Sequence, residues 1–197
     1  MGSMSVLHAE FLREKITYTG SELAPHWISA RTGVFASSVV AFRGGCMVQT
    51  AELVDLEDQR EGETIQAKEM LHFLGEWFEN DLSLGIARQL LFIAGFAELL
   101  NQKITGGQRV IRKGNDLYVE DSSAGVVGKL SVSIVTASPV STLFHFGVNI
   151  DPSGAPVSAI GLSALDIDPD VLGREALELW QREWAGMAKA RCKVMAR

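Results

Sequence analysis

Residues 142–150 read TLFHFGVNI. Side chains alternate across a strand with a period of two. Phe144, Phe146, Val148 and Ile150 therefore share one face, and Leu143, His145, Gly147 and Asn149 the other. The first face is wholly apolar and requires a packed layer against it. The second is small and polar. Such a face either stands half-exposed, as in many antiparallel sheets, or floors a ligand groove. The run stops at Asp151-Pro152-Ser153-Gly154, a turn composition.

Other segments fit around this strand. Residues 38–42 are apolar and β-branched and end at Arg43-Gly44-Gly45, which reads as a turn. Residues 48–56 alternate loosely and run into an acidic turn at 57–62. In residues 70–78 the aromatics Phe73, Trp77 and Phe78 favour a strand over a helix. Residues 116–119 and 130–135 read as two strands joined by a loop over 120–128. Parity places Leu130, Val132 and Ile134 on a core face, with Lys129, Ser131 and Ser133 on a small polar one. Two helices complete the pattern. Leu82, Ile86, Leu90, Ile93, Ala97 and Leu100 recur at helical spacing behind Asn80-Asp81. Asp168-Pro169 opens a second helix with the apolar stripe Leu172, Ala176, Leu179, Trp180, Trp184 and Met187. The order of elements predicts an α+β domain, a mostly antiparallel sheet with packed helices.

Composition narrows the function classes. Eighteen Lys and Arg against 24 Asp and Glu give a net charge of −6. That balance argues against a nucleic-acid partner, which a basic surface would serve. Two cysteines, Cys46 and Cys192, point to a reducing, cytoplasmic setting rather than a disulfide scaffold. No apolar run approaches the ~20 residues of a membrane span, so no membrane partner is expected. Met1-Gly2-Ser3 reads as an expression scar, with residues 4–197 as one domain. Trp27, Trp77, Trp180 and Trp184 leave a homo-oligomer open.

Two places can carry chemistry. Arg43-Gly44-Gly45 offers guanidinium donors beside backbone that a ligand can approach closely, an anion-binding arrangement; the plainer reading is a tight turn with Arg43 in solvent. Asn115-Asp116 and Lys129 come together if their strands pair, next to Ser131, Ser133 and His145. His26, His72, His145 and the cysteines have no metal-ligand spacing, so no metal site is expected.

These residues carry a resemblance. Asn115-Asp116-Leu117-Tyr118-Val119, then Gly128-Lys129-Leu130-Ser131, then Phe144-His145-Phe146-Gly147-Val148-Asn149 resembles the centre of the biotin/lipoate protein ligase-like fold. Arg43-Gly44-Gly45-Cys46 resembles that fold's Arg-plus-glycine loop, with Cys46 where the ligases have a third glycine. From residue 16 to 194 the chain is identified as a member of a prokaryotic family, domain of unknown function 366. Val39-Val40-Ala41-Phe42-Arg43-Gly44, Met70-Leu71-His72-Phe73 and Lys129-Leu130-Ser131-Val132-Ser133-Ile134 carry that assignment. The ligase resemblance implies a small carboxylate or nucleotide partner, ATP or an acyl-adenylate as co-substrate, and acyl activation or transfer. Lys129 would be the catalytic cation. Asn115 and Asp116 would hold the nucleotide or a metal, and Arg43, Gly44 and Gly45 would cradle the anion. The alternative is a non-catalytic binding or assembly protein on the same fold.

Overall fold

The computed structural model describes residues 7–123 and 125–195; the scar expected at residues 1–3 lies outside them. A five-stranded sheet is built from β1 (His8–Phe11), β2 (Ser38–Val48), β3 (Ile65–Trp77), β7 (Ser131–Ala137) and β8 (Thr142–Asp151), in the order β1-β2-β3-β8-β7. Only β1 runs parallel to its neighbour. A three-stranded antiparallel meander, β4 (Gln108–Lys113), β5 (Asp116–Asp121) and β6 (Gly125–Lys129), stands beside it.

The alternation of β8 organises two cores. Phe144, Phe146 and Val148 join Val39 and Ala41 of β2 and Leu71, Phe73 and Trp77 of β3 on one face. Against them pack α3 (Leu82–Asn101) through Phe92, Ile93 and Phe96, and α4 (Pro169–Lys193) through Leu172, Ala176, Trp180 and Trp184. Phe92 lies flat on Trp180, ring centroids 3.4 Å apart. The opposite face holds a smaller core of Val40, Phe42, Cys46, Met70 and Leu74. Tyr18 and the short α1 (Trp27–Thr32) close over it. Both helix starts foreseen from sequence are capped, by Asp81 and Asp168 side chains accepting from backbone N–H groups.

Several expectations are corrected. Arg43-Gly44-Gly45 is no turn: β2 continues through it to Val48, with an irregularity between Gly44 and Cys46. Gly44 is required because the Ile16 carbonyl oxygen lies 1.9 Å from where a Cβ would stand. The approaching backbone is thus the chain's own, pairing as Ile16 N–H to Arg43 O and Tyr18 N–H to Gly45 O. Beyond Val48, residues 49–56 form no strand. A single 3-10 turn (Thr50–Glu52) leads to α2 (Leu56–Glu61), where the sequence suggested an acidic turn. Asp55 accepts from the Glu57 and Asp58 N–H groups, and acidic residues in the first turn suit a helix N-terminus. The loop expected over 120–128 contains β6, so β5 pairs with β4 and β6 rather than with β7. The apolar-run expectation is also corrected: α3 is long and apolar enough to cross a membrane by length and composition alone. Here it buries Phe92, Ile93, Phe96 and Leu100 against the sheet.

Two glycines test the packing. Gly44→Ala should destabilise the fold by at least about 2 kcal/mol, since backbone cannot yield as a side chain can. Gly186→Ala, in open space on α4, should be neutral or stabilising by up to about 1 kcal/mol. Urea unfolding midpoints of the two variants measure both.

Candidate functional site

On the sheet face away from α3 and α4 lies a cavity of about 400 Å³. Its floor is set by strand register. Ile134 of β7 stands opposite His145, and Val132 opposite Gly147, so Val132 and Ile134 share the polar face of β8. This inverts the parity read from sequence. Ser131 and Ser133 point their hydroxyls the other way, toward β5 and α3. Ser131 Oγ accepts from the Leu117 N–H at 2.9 Å, and Gln89 Nε2 of α3 donates to Ser133 Oγ at 2.7 Å. The inversion arises because Lys129 and Leu130 do not continue β7. Lys129 ends β6, and Leu130 is buried at the break.

Lys129, Asn115, Asp116 and His145 all line the cavity, as does Ser133. Lys129 Nζ pairs with Asp116 at 2.7 Å, both largely covered. Asn115 is fixed by donating Nδ2 to the Ser133 carbonyl at 2.8 Å. Arg43, Gly44, Gly45 and Ser131 are not in the lining. Arg43 is held by Glu69 at 3.0 Å and Asp170 at 3.1 Å. Tyr18, Met70, Val132, Ile134, Asp58 and Asn149 line the cavity without having been singled out from sequence as site residues. For Asn149 a signal existed in the polar face of β8. Tyr18 sits in a loop without periodicity and gave none.

The electrostatics are uneven. Glu52, Glu61 and Glu63 are exposed at the rim, while Asp55, Asp58 and Asp116 are partly covered. Burial pushes the Asp58 carboxyl up, helped by Asp55, Glu63 and Asp116 and opposed by Lys129. Burial likewise pushes Asp116 up against the pull of Lys129. The inner wall carries a buried imidazole pair: His72 Nδ1 and His145 Nε2 are 3.1 Å apart. Tyr18 stacks on His145 with ring centroids 3.7 Å apart. Burial lowers His72 to about 4, and burial with the neighbouring His72 lowers His145 well below its ordinary value. Burial raises Tyr18, and raises the Cys46 thiol to about 12, so neither supplies an anion near neutral pH. Among the described residues no group of three or more His, Cys, Asp or Glu side chains is placed to hold a metal ion.

The sheet with helices on one face has the fold of the biotin/lipoate protein ligases. Biotin protein ligase from Aquifex aeolicus, in complex with biotin and ATP, aligns with a TM-score of 0.54 and 15% identity, over 91% of this chain and 70% of that one. The chain belongs to the family described as domain of unknown function DUF366, whose model matches residues 7–195. A protein of unknown function from Pyrococcus horikoshi is 35% identical with a TM-score of 0.88, covering 97% of this chain and 99% of that one. An uncharacterized protein of Methanocaldococcus jannaschii is 34% identical over 172 residues, 84% of this chain and 74% of its own length.

The imidazole pair sets a pH dependence. Both rings are neutral in the native state, whereas unfolded histidine takes up protons below about 6.5. The unfolded state therefore binds more protons between pH 6.5 and 4, and stability is lost as pH falls through that window. His72 alone should account for about 3 kcal/mol. Comparing urea unfolding at pH 7 and pH 4.5 for the native protein and His72→Phe should show a flatter dependence in the variant.

Proposed function

We propose that the cavity binds a small carboxylic acid with an apolar body, and that Lys129 is its counter-ion. The observation that supports this most directly is Lys129 itself, the one cation in the lining among the described residues, beside an apolar floor of Val132, Ile134 and Met70. The ligand carboxylate competes with Asp116 for the ammonium group. Asp116 gives up its charge at reduced cost, because burial already favours its protonated form. The fold supports the same class of ligand, since a relative of this architecture carries biotin.

A nucleotide triphosphate fits the lining poorly. One lysine faces Glu52, Asp55, Asp58, Glu61, Glu63 and Asp116, and Arg43 is spent on Glu69 and Asp170. The arrangement suits transfer from a thioester of such an acid better than nucleotide-dependent activation of the free acid: the acceptor amine, drawn by the acidic rim, forms the amide bond as the thiol leaves, and Lys129 would stabilise the negative charge that develops on the acyl carbonyl oxygen.

Neighbouring substitutions should act in opposite directions. Lys129→Met should weaken binding of octanoate, lipoate or biotin by about tenfold or more, the loss of a charge-assisted hydrogen bond. Asp116→Asn, which removes the competitor, should strengthen it. Isothermal titration measures both. The reading fails if none of these acids binds the native protein, or if both variants bind like it.

A further inference from the structure

The inner end of the cavity carries a polar group that the carboxylate reading does not use. His145 is 3% exposed and lies in the lining. Its ring plane is held by stacking on Tyr18 and its rotation by the 3.1 Å contact with His72.

The proton positions follow from the surroundings. His72 Nε2 is buried and makes no hydrogen bond of good geometry, while the Gly44 and Gly45 backbone favours a proton on the ring; with Nδ1 turned to His145, Nε2 is the nitrogen left to face that backbone and carry the proton. Neutral imidazole carries one proton, so His72 Nδ1 is bare and accepts. Its partner His145 must then donate from Nε2, which leaves His145 Nδ1 bare. No hydrogen-bond partner for Nδ1 is found among the described residues.

Lys129 marks the opposite end. Its carbonyl accepts from Asn149 Nδ2 at 3.2 Å, and Asn149 lies four residues along β8 from His145. At ~3.3 Å per residue His145 and Asn149 are about 13 Å apart along the strand. Between them the surface is apolar, with Val132 beside Gly147 and the Met70 methyl group lying over the space where a Gly147 side chain would be.

We propose that His145 is a specificity-determining hydrogen-bond acceptor, its tautomer fixed by His72, that selects carboxylic acids bearing an O–H or N–H donor at the end remote from the carboxylate. The proposal rests on the carboxylate reading and narrows it: a hydroxyl- or amide-terminated acid is preferred over a plain fatty acid. A donor placed there satisfies a lone pair that an alkyl terminus would leave buried and unpaired.

Three acids of similar length separate the outcomes: octanoate, 8-hydroxyoctanoate and 8-methoxyoctanoate, titrated into the native protein, His145→Phe and His72→Phe. The native protein should bind the hydroxy acid about tenfold more tightly than the other two. The methyl ether has an acceptor but no donor, so it should behave like octanoate. The preference should vanish in His145→Phe and shrink in His72→Phe. Nitrogen-15 spectra of the histidine-labelled native protein give a ligand-free check, which also serves if a variant does not fold. His145 should show a pyridine-type Nδ1 and a pyrrole-type Nε2. Equal binding of the three acids, or a proton on His145 Nδ1, overturns this proposal while leaving the carboxylate reading intact. Binding of none of them overturns both.

Discussion

The pairing of β3 with β8 at the centre of the sheet is the constraint on which the rest depends. Register sets Phe73 opposite Phe146 on the helical face, and Leu74 opposite His145 on the other. Each strand thus contributes to both layers at once. Phe73, Phe144 and Phe146 anchor α3 and α4 by aromatic packing, with Phe92 and Phe96 edge-on to Phe146. The same register places His72 within hydrogen-bond reach of His145. A slip of one residue would turn the phenylalanines toward the cavity and the imidazoles into the helical core, where neither could be accommodated.

Much of this was legible because it rests on short-period patterns. The two faces of β8, the strand character of residues 70–77 and both long helices follow from alternation, helical spacing and caps. The polar residues of the site were legible in part. Lys129, Asn115, Asp116 and His145 line the cavity, although the hairpin that brings Lys129 to Asp116 is formed by β5 with β6, which sets Tyr118 opposite Lys129, and not by β5 with β7. One misreading arises because period-two parity holds only within an unbroken strand. The break at Leu130 reversed the faces assigned to Ser131, Val132, Ser133 and Ile134. At Gly44 the glycine signalled a close backbone approach, but local pattern cannot distinguish the chain's own Ile16 from a ligand. That distinction depends on a contact between residues far apart along the chain, and only the folded structure contains it.

The distribution of charge explains why Arg43 and Lys129, which look alike in sequence, differ so much in place. Arg43 sits within a surface network with Glu69, Lys15 and Asp170 that ties β2, β3 and α4 together. Lys129 faces inward among carboxylates whose burial makes them reluctant to ionise. In such a setting a single ammonium group dominates the local field at its end of the cavity, while the exposed glutamates at the rim are screened by solvent.

Gly147 has a consequence for the dimensions of the cavity. With no side chain there, depth is fixed by Met70, whose terminal methyl occupies the space a Cβ would need. A thioether chain is unbranched and rotates easily. The floor at that point is therefore compliant, and the cavity has an adjustable depth along the stretch between His145 and Lys129.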